Sequence, residues 1–214
     1  MVQDFHVFKY LEMHNANDLA FDTCCKRVTS DENIQSKAQA MKDLYVDAGE
    51  ETPPNTTNQR GEPFQVNFFI DYDDAGDREI QIYQTGIIFY CNSALIIWYS
   101  NRQNTVESST FGAEFVALWI ATNLIASSRY RFRMIGVPIK GAVNVCCDNE
   151  SVYRNASFDE YQINKNHQTI CFHQVSECMA ADIIIVHKVD TNDNLADLLT
   201  KSIPGWKRVQ LKFR

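Results

Sequence analysis

From residue 64 onward the chain alternates between short apolar runs of strand composition and longer stretches of helical period, and that order admits few folds. Val66–Ile70 (VNFFI), Ile80–Tyr90 and Ala94–Tyr99 are rich in Ile, Phe, Tyr and Val and predict three strands, the last two joined by a turn at Cys91-Asn92-Ser93. Thr110–Tyr130 then carries Phe115, Leu118, Trp119, Thr122 and Ile125 at three- and four-residue steps, which predicts one long helix with a single buried face. Ala142–Cys147 reads as a fourth strand and Ile183–Val189 as a fifth. Helical stretches lie between them near 149–156 and 166–181, and a last helix, Leu195–Lys201, is stopped by Pro204-Gly205. A three-stranded meander followed by α/β units predicts an α/β fold with a mixed five-stranded sheet flanked by helices.

The stretch before this pattern is different in kind. Residues 1–46 predict a small, mostly helical segment in two pieces, 3–14 and 30–45, the second opened by Thr29 and Glu32 at the spacing of a capping box. Residues 47–63 (DAGEETPPNTTNQRGEP) hold three of the five prolines among polar and acidic neighbours, the composition of a linker. The expected organisation is therefore a helical segment at 1–46, a linker at 47–63, a domain at 64–204 and a basic tail at 205–214.

A hydrophobic content of 45% suffices for a packed core. No stretch is expected to supply the ~18 apolar residues of a membrane helix, and the first residues lack a basic-then-apolar signal pattern, so no membrane partner is expected. The seven cysteines form no CxxC pair, and two pairs are sequence neighbours, Cys24-Cys25 and Cys146-Cys147. Adjacent strand residues face opposite ways, so free thiols in a reducing, intracellular compartment are expected. Net charge is −7, but it is uneven: residues 1–66 carry 6 basic and 11 acidic side chains, residues 67–214 carry 14 and 16. Local basic clusters stand at Arg129, Arg131 and Arg133 and at Lys201, Lys207, Arg208, Lys212 and Arg214. Each suits either phosphate contact or ordinary solvation.

Four acids fall where a sheet could gather them. Asp71 follows the first strand, Glu114 lies near the start of the long helix, Asp148 follows the fourth strand and Asp197 opens the last helix. Ligands of open α/β sheets gather beyond such strand ends. Four converging carboxylates would repel one another without a cation, and Mg²⁺ favours hard oxygen donors of this type. Taken singly, each acid suits a turn or helix cap equally well.

At these residues the sequence resembles the ribonuclease H domain of the Pol polyprotein of copia-type long-terminal-repeat retrotransposons. DYDDAGD at 71–77 is similar to that family's DADxAGD run; Thr85-Gly86 and IIWYSNRQ at 96–103 follow in order. SSTFGAEFVAL at 108–118, CDNES at 147–151 and NLADLLTK at 194–201 resemble its SSTEAEYxAL, CDNxSA and QLADxxTK blocks. HVFKYL at 6–11 and LAFD at 19–22 resemble the end of the adjoining reverse transcriptase. The resemblance implies a ribonuclease H-like fold and a metal-dependent endonuclease that hydrolyses the RNA strand of RNA–DNA hybrids during reverse transcription. It implies Asp71, Glu114, Asp148 and Asp197 as ligands of two Mg²⁺ ions, replaceable by Mn²⁺, with Asp73 as runner-up to Asp71 and with Asp74 and Asp77 as surface turn residues. The implied partners are the hybrid and the reverse transcriptase part of the same polyprotein, in the cytoplasm or nucleus or in virus-like particles. Asn149 and Lys201 are the expected nucleic-acid contacts, Asn149 toward an RNA 2′-OH or else as a helix cap, with Arg129–Arg133 as an alternative phosphate grip. QIYQ at 81–84 and NHQTICFHQVSE at 166–177 lack the basic residues that the family carries there. That loss keeps open the alternative of a catalytically weakened ribonuclease H-like scaffold or nucleic-acid-binding module.

Other polar residues read mainly as structure. His187 suits a partly buried strand end better than a proton shuttle. His167, Cys171, His173 and Cys178 lack the spacing of a tetrahedral zinc site. Cys146, Cys147, Trp98 and Tyr99 suit core or sheet-face packing.

Overall fold

The computed structural model describes residues 41–73, 83–92, 94–103, 110–157, 166–201 and 205. The expected helix at 3–14, most of that at 30–45, Asp74, Asp77 and the tail after Gly205 lie outside them. Five strands appear: β1 (Val66–Asp73), β2 (Gln84–Cys91), β3 (Ala94–Arg102), β4 (Val143–Cys147) and β5 (Ile184–Lys188). Among the described residues, these helices accompany them: α1 (Thr110–Met134), α2 (Glu150–Ser157), α3 (Asn166–Ala180) and α4 (Asp197–Thr200). The sheet order is β3-β2-β1-β4-β5. The meander β1-β2-β3 is antiparallel, whereas β4 and β5 run parallel to β1.

The apolar runs explain this order. β1 and β4 are buried on both faces, as strands rich in Val, Ile and Phe must be, and they take the interior positions of the sheet. One face packs under α1, α2 and α3, where Phe68, Ile87, Leu118, Ile125, Val145 and Val175 are buried together. The opposite face holds a smaller cluster, Phe69, Ile88, Cys146, Leu195 and Ala196, beneath the turn that leads into α4. α1 buries the face expected of it, and Thr122 satisfies its hydroxyl on Leu118 O at 2.9 Å. By length and composition alone, Phe111–Met134 would suffice to cross a membrane, contrary to the expectation from the sequence. It serves here as the helix that covers the sheet. It ends in a Schellman turn, with Gly136 at φ 75° and Val137 N–H donating to Phe132 O at 2.9 Å. β3, at the sheet edge, leaves Ile96, Ile97 and Trp98 exposed, while Tyr99 is packed against the main core.

The segment before β1 is tied onto this body. Lys42 pairs with Asp182 at 2.6 Å, and Tyr45 shares a 2.6 Å hydrogen bond with His173 Nδ1. Arg60 N–H reaches Gly136 O at 2.9 Å. Glu50 accepts hydrogen bonds from Arg129 at 2.7 and 2.8 Å and also binds Arg133, while Arg129 donates to Gly141 O at 2.7 Å. Arg129 and Arg133, expected as an alternative phosphate grip, thus spend their charge inside the fold; Arg131 stays exposed.

Burial alone would raise the Glu50 carboxyl, but the two guanidiniums outweigh it and hold it below its ordinary value. A depressed carboxylate stabilises the fold above its unfolded value of 4.5, and that contribution is lost as pH falls through the folded one. Glu50→Gln is expected to cost about 1–3 kcal/mol at neutral pH, less than a fully buried pair because Glu50 keeps some solvent contact. The deficit should shrink as pH falls below 4.5 and through the lowered folded value, as read from urea denaturation at neutral and at acid pH.

Candidate metal centre

The parallel alignment of β1 and β4 brings the C-terminal ends of the two strands side by side, and the acids collect there. Asp71 lies in β1 opposite Gly86, Asp148 follows β4 directly, and Asp197 is the first residue of α4. One carboxylate oxygen from each lies within 4.8 Å of the others. Asp71 and Asp197 are buried, and Asp148 is half-buried. Glu114, from α1, lines a pocket together with Asp71, Tyr72, Asp148 and Asn149. Its Oε2 is buried without a hydrogen-bond partner. Asp71, not Asp73, is the member of the acidic run that joins the trio.

The electrostatics are those of a site built for cations. Burial pushes Asp71 up to about 6, against the hydrogen bond from Thr200 and the charge of Lys201. Burial pushes Glu114 up to about 7; hydrogen bonds from Asn149 and Tyr72 oppose the rise, and the charges of Asp148 and Asp71 add to it. Hard oxygen donors, poorly hydrated and mutually repelling, fit a divalent ion of the magnesium type. Among the described residues, Lys201 lies between two of these acids, with its Nζ 2.8 Å from Asp197 Oδ1 and 3.1 Å from Asp71 Oδ1. Lys201 is expected to contact phosphates; in the structure its ammonium is paired with these two acids.

Several residues that hold the site escaped the sequence reading. α4 can approach β2 only because residue 86 is glycine: a Cβ there would lie 2.6 Å from Thr200 Cγ2 and 3.0 Å from Leu199 Cβ. Thr200 Oγ1 then donates to Asp71 Oδ2. Asn194, fully buried, donates to Ile70 O at 2.9 Å and so ties the turn before α4 to β1 beside Asp71. Buried Gln103 donates to Thr85 Oγ1 at 2.9 Å and to Ala113 O at 2.7 Å, fixing the start of α1 next to Glu114. The only signal for these residues was their place inside the quoted sequence blocks.

Of the two roles open to Asn149, the helix cap is present: its Oδ1 accepts from Ser151 N–H at 2.6 Å and Val152 N–H at 3.2 Å. His187 is buried, with Nε2 3.1 Å from Asn144 Oδ1, which fits its strand role. Burial pushes Cys146 up to about 12 and Cys147 higher still, so neither thiol is a poised nucleophile. Cys171 and Cys178 pack against the main core; the side chain of His167 lies outside the described residues.

No protein-family model matches the chain. Among curated proteins it is 30% identical over 139 residues to the retrovirus-related Pol polyprotein from transposon TNT 1-94 of Nicotiana tabacum, which covers 65% of this chain and 10% of that protein. It is 23% identical over 145 residues to the retrovirus-related Pol polyprotein from transposon RE1 of Arabidopsis thaliana, covering 68% and 10%. The chain therefore spans about a tenth of the length of these relatives. Among solved structures it is similar to RNase H1 of Halobacterium salinarum, with 14% identity, TM-score 0.48, and 63% and 93% of the two chains covered. It is similar also to LC11-RNase H1 in complex with an RNA/DNA hybrid, with 14% identity, TM-score 0.49 and the same coverage. Three antiparallel strands leading into two parallel ones, helices on both faces and an acidic trio at the strand ends thus make a mixed α/β fold, and over 65% of its length the chain is similar in sequence to a part of the retrovirus-related Pol polyproteins of plant transposons.

Proposed function

We propose that this domain is a divalent-metal-dependent endonuclease that hydrolyses the RNA strand of RNA–DNA hybrids during retrotransposon reverse transcription. The observation that carries the reading is the convergence of Asp71, Asp148 and Asp197 within 4.8 Å, with the buried, unpartnered Oε2 of Glu114 on a residue that lines a pocket with Asp71 and Asp148. These four carboxylates would hold two Mg²⁺ ions, or Mn²⁺ in their place. Ions so bound activate water and stabilise charge on the attacking and leaving oxygens of a phosphodiester. The chain's own part is positional. Gln103 and Asn149 fix Glu114 and its helix, Asn194 and Thr200 fix α4 against β1, and the apolar strands beneath hold Asp71 and Asp148 in place. Half-buried Asp148 gives the site its side toward solvent, where a phosphate backbone can approach.

The likeness to a part of Pol polyproteins supports this substrate. The reverse transcriptase part of the same polyprotein is the proposed partner, within the cell or a virus-like particle. A scaffold or nucleic-acid-binding module without catalysis is the less supported reading, since it gives no reason for Asp71, Asp148 and Asp197 to converge beside a pocket that Glu114 also lines.

The test is cleavage of a hybrid labelled on its RNA strand by the purified chain. RNA should be cut internally with Mg²⁺ or Mn²⁺, not in chelator, while duplex DNA stays intact. An inert protein that binds metal but leaves the hybrid whole would refute the proposal.

A further inference from the structure

Lys201 is the feature that the proposed chemistry does not absorb. It follows the last residue of α4, and its ammonium lies 2.8 Å from Asp197 Oδ1 and 3.1 Å from Asp71 Oδ1. Those two side chains are 1% and 2% exposed, whereas the lysine side chain is 34% exposed. The charged head of a side chain one-third exposed thus reaches into a buried acid pair. Asp71 and Asp197 also belong to the trio whose oxygens lie within 4.8 Å of one another. A lysine ammonium is a compact point charge on a flexible stem with three rotatable donors, so it can replace part of what an ion would provide.

Resting on the metal reading above, we propose that Lys201 is a tethered counter-cation that competes with divalent metal for the Asp71–Asp197 pair, so that ion binding displaces its ammonium toward solvent. An ion entering between the same oxygens meets a like charge, and both cannot keep those contacts. The lysine therefore weakens metal binding while it holds α4 on the sheet when the site is metal-free. The opposite role is also open to a lysine here: holding the two carboxylates in position so that metal binds better. The two roles give opposite signs.

Mn²⁺ titration of the full chain, followed through the electron paramagnetic resonance signal of free Mn²⁺, reads that sign for the parent, Lys201→Met and Lys201→Arg. A full charge within a few ångströms changes the affinity for another charge by roughly one to three powers of ten, so Lys201→Met is expected to bind Mn²⁺ at least about tenfold more tightly. Lys201→Arg should stay near the parent, and the metal-free melting temperature should fall in Lys201→Met. In the parent itself, Mg²⁺ should shift the ¹³Cε resonance of Lys201, a readout that needs no substitution. Equal or weaker binding by a folded Lys201→Met, or a ¹³Cε resonance unmoved at saturating Mg²⁺, overturns the competition. If neither parent nor variant binds divalent metal, the nuclease reading falls with it; if the parent binds and Lys201→Met gains nothing, only the lysine inference falls.

Discussion

Asp148→Asn is expected to reduce hybrid cleavage by at least about 10²-fold while leaving the fold and its stability close to the parent. The substitution keeps the shape of the side chain and removes its charge and one of the oxygens an ion could use. Asp148 follows β4 and is only half-buried, so an amide there can be hydrated and leaves no unpaired group in the core. It also removes one of three like charges gathered within 4.8 Å, which favours the metal-free protein. Two measurements follow. Cleavage of the labelled hybrid at saturating Mg²⁺ reads the chemistry, and the rise in melting temperature on adding Mg²⁺ reads the site. That rise should be present in the parent and largely lost in Asp148→Asn, because stabilisation by a ligand scales with its affinity for the folded state. Parent-like cleavage by the variant would remove Asp148 from the mechanism. A strongly destabilised variant would make it a structural residue instead.

The strands and helices were legible because their residues are locally consistent with their place in the fold. VNFFI is buried on both faces and became an interior strand, and the three- and four-residue steps from Phe115 to Ile125 became the buried face of α1. Every expected element in the described residues from 64 on appears with ends shifted by a few positions. The acids were legible for a related reason: a residue just beyond a parallel strand has few places to go except the sheet edge, and Asp71 and Asp148 meet there. What composition and spacing could not show was the partner of each charge. Arg129 and Arg133 formed a basic cluster in sequence, yet they close on Glu50, 79 and 83 positions away. Lys201 pairs with Asp71 across 130 positions. No local pattern marks such pairs, because they exist only once α4 has docked and the segment before β1 has folded back on α1. The apolar character of α1 misled in a milder way. Its surroundings, not its composition, decide that it packs on a sheet.

Gly86→Ala is expected to damage the site through packing alone, at a residue that carries no chemistry. The β2 backbone at Gly86 faces Asp71 across the ladder, and α4 rests on it closely enough that an added Cβ would lie 2.6 Å from Thr200 Cγ2, 3.0 Å from Leu199 Cβ and 3.1 Å from Ala196 O. The first contact is below any ordinary carbon–carbon approach, and two of the three involve atoms that cannot rotate away, so α4 must lift. Overpacking of this size costs about 1–3 kcal/mol. The lift carries Asp197 away from Asp71 and Asp148 and loosens the Thr200–Asp71 hydrogen bond, so metal affinity and cleavage should fall together by roughly 10- to 100-fold, as they do when groups that orient metal ligands are disturbed. Thr200→Ser supplies the control. It deletes the Cγ2 methyl while keeping the hydroxyl that bonds Asp71, so Gly86→Ala combined with Thr200→Ser should recover part of both the stability and the Mn²⁺ affinity. In a double-mutant cycle the two changes should couple by about 1 kcal/mol or more, as neighbours in contact do. Strict additivity would mean that α4 does not press on β2 at this point, and that the glycine is there for some reason other than the seating of Asp197.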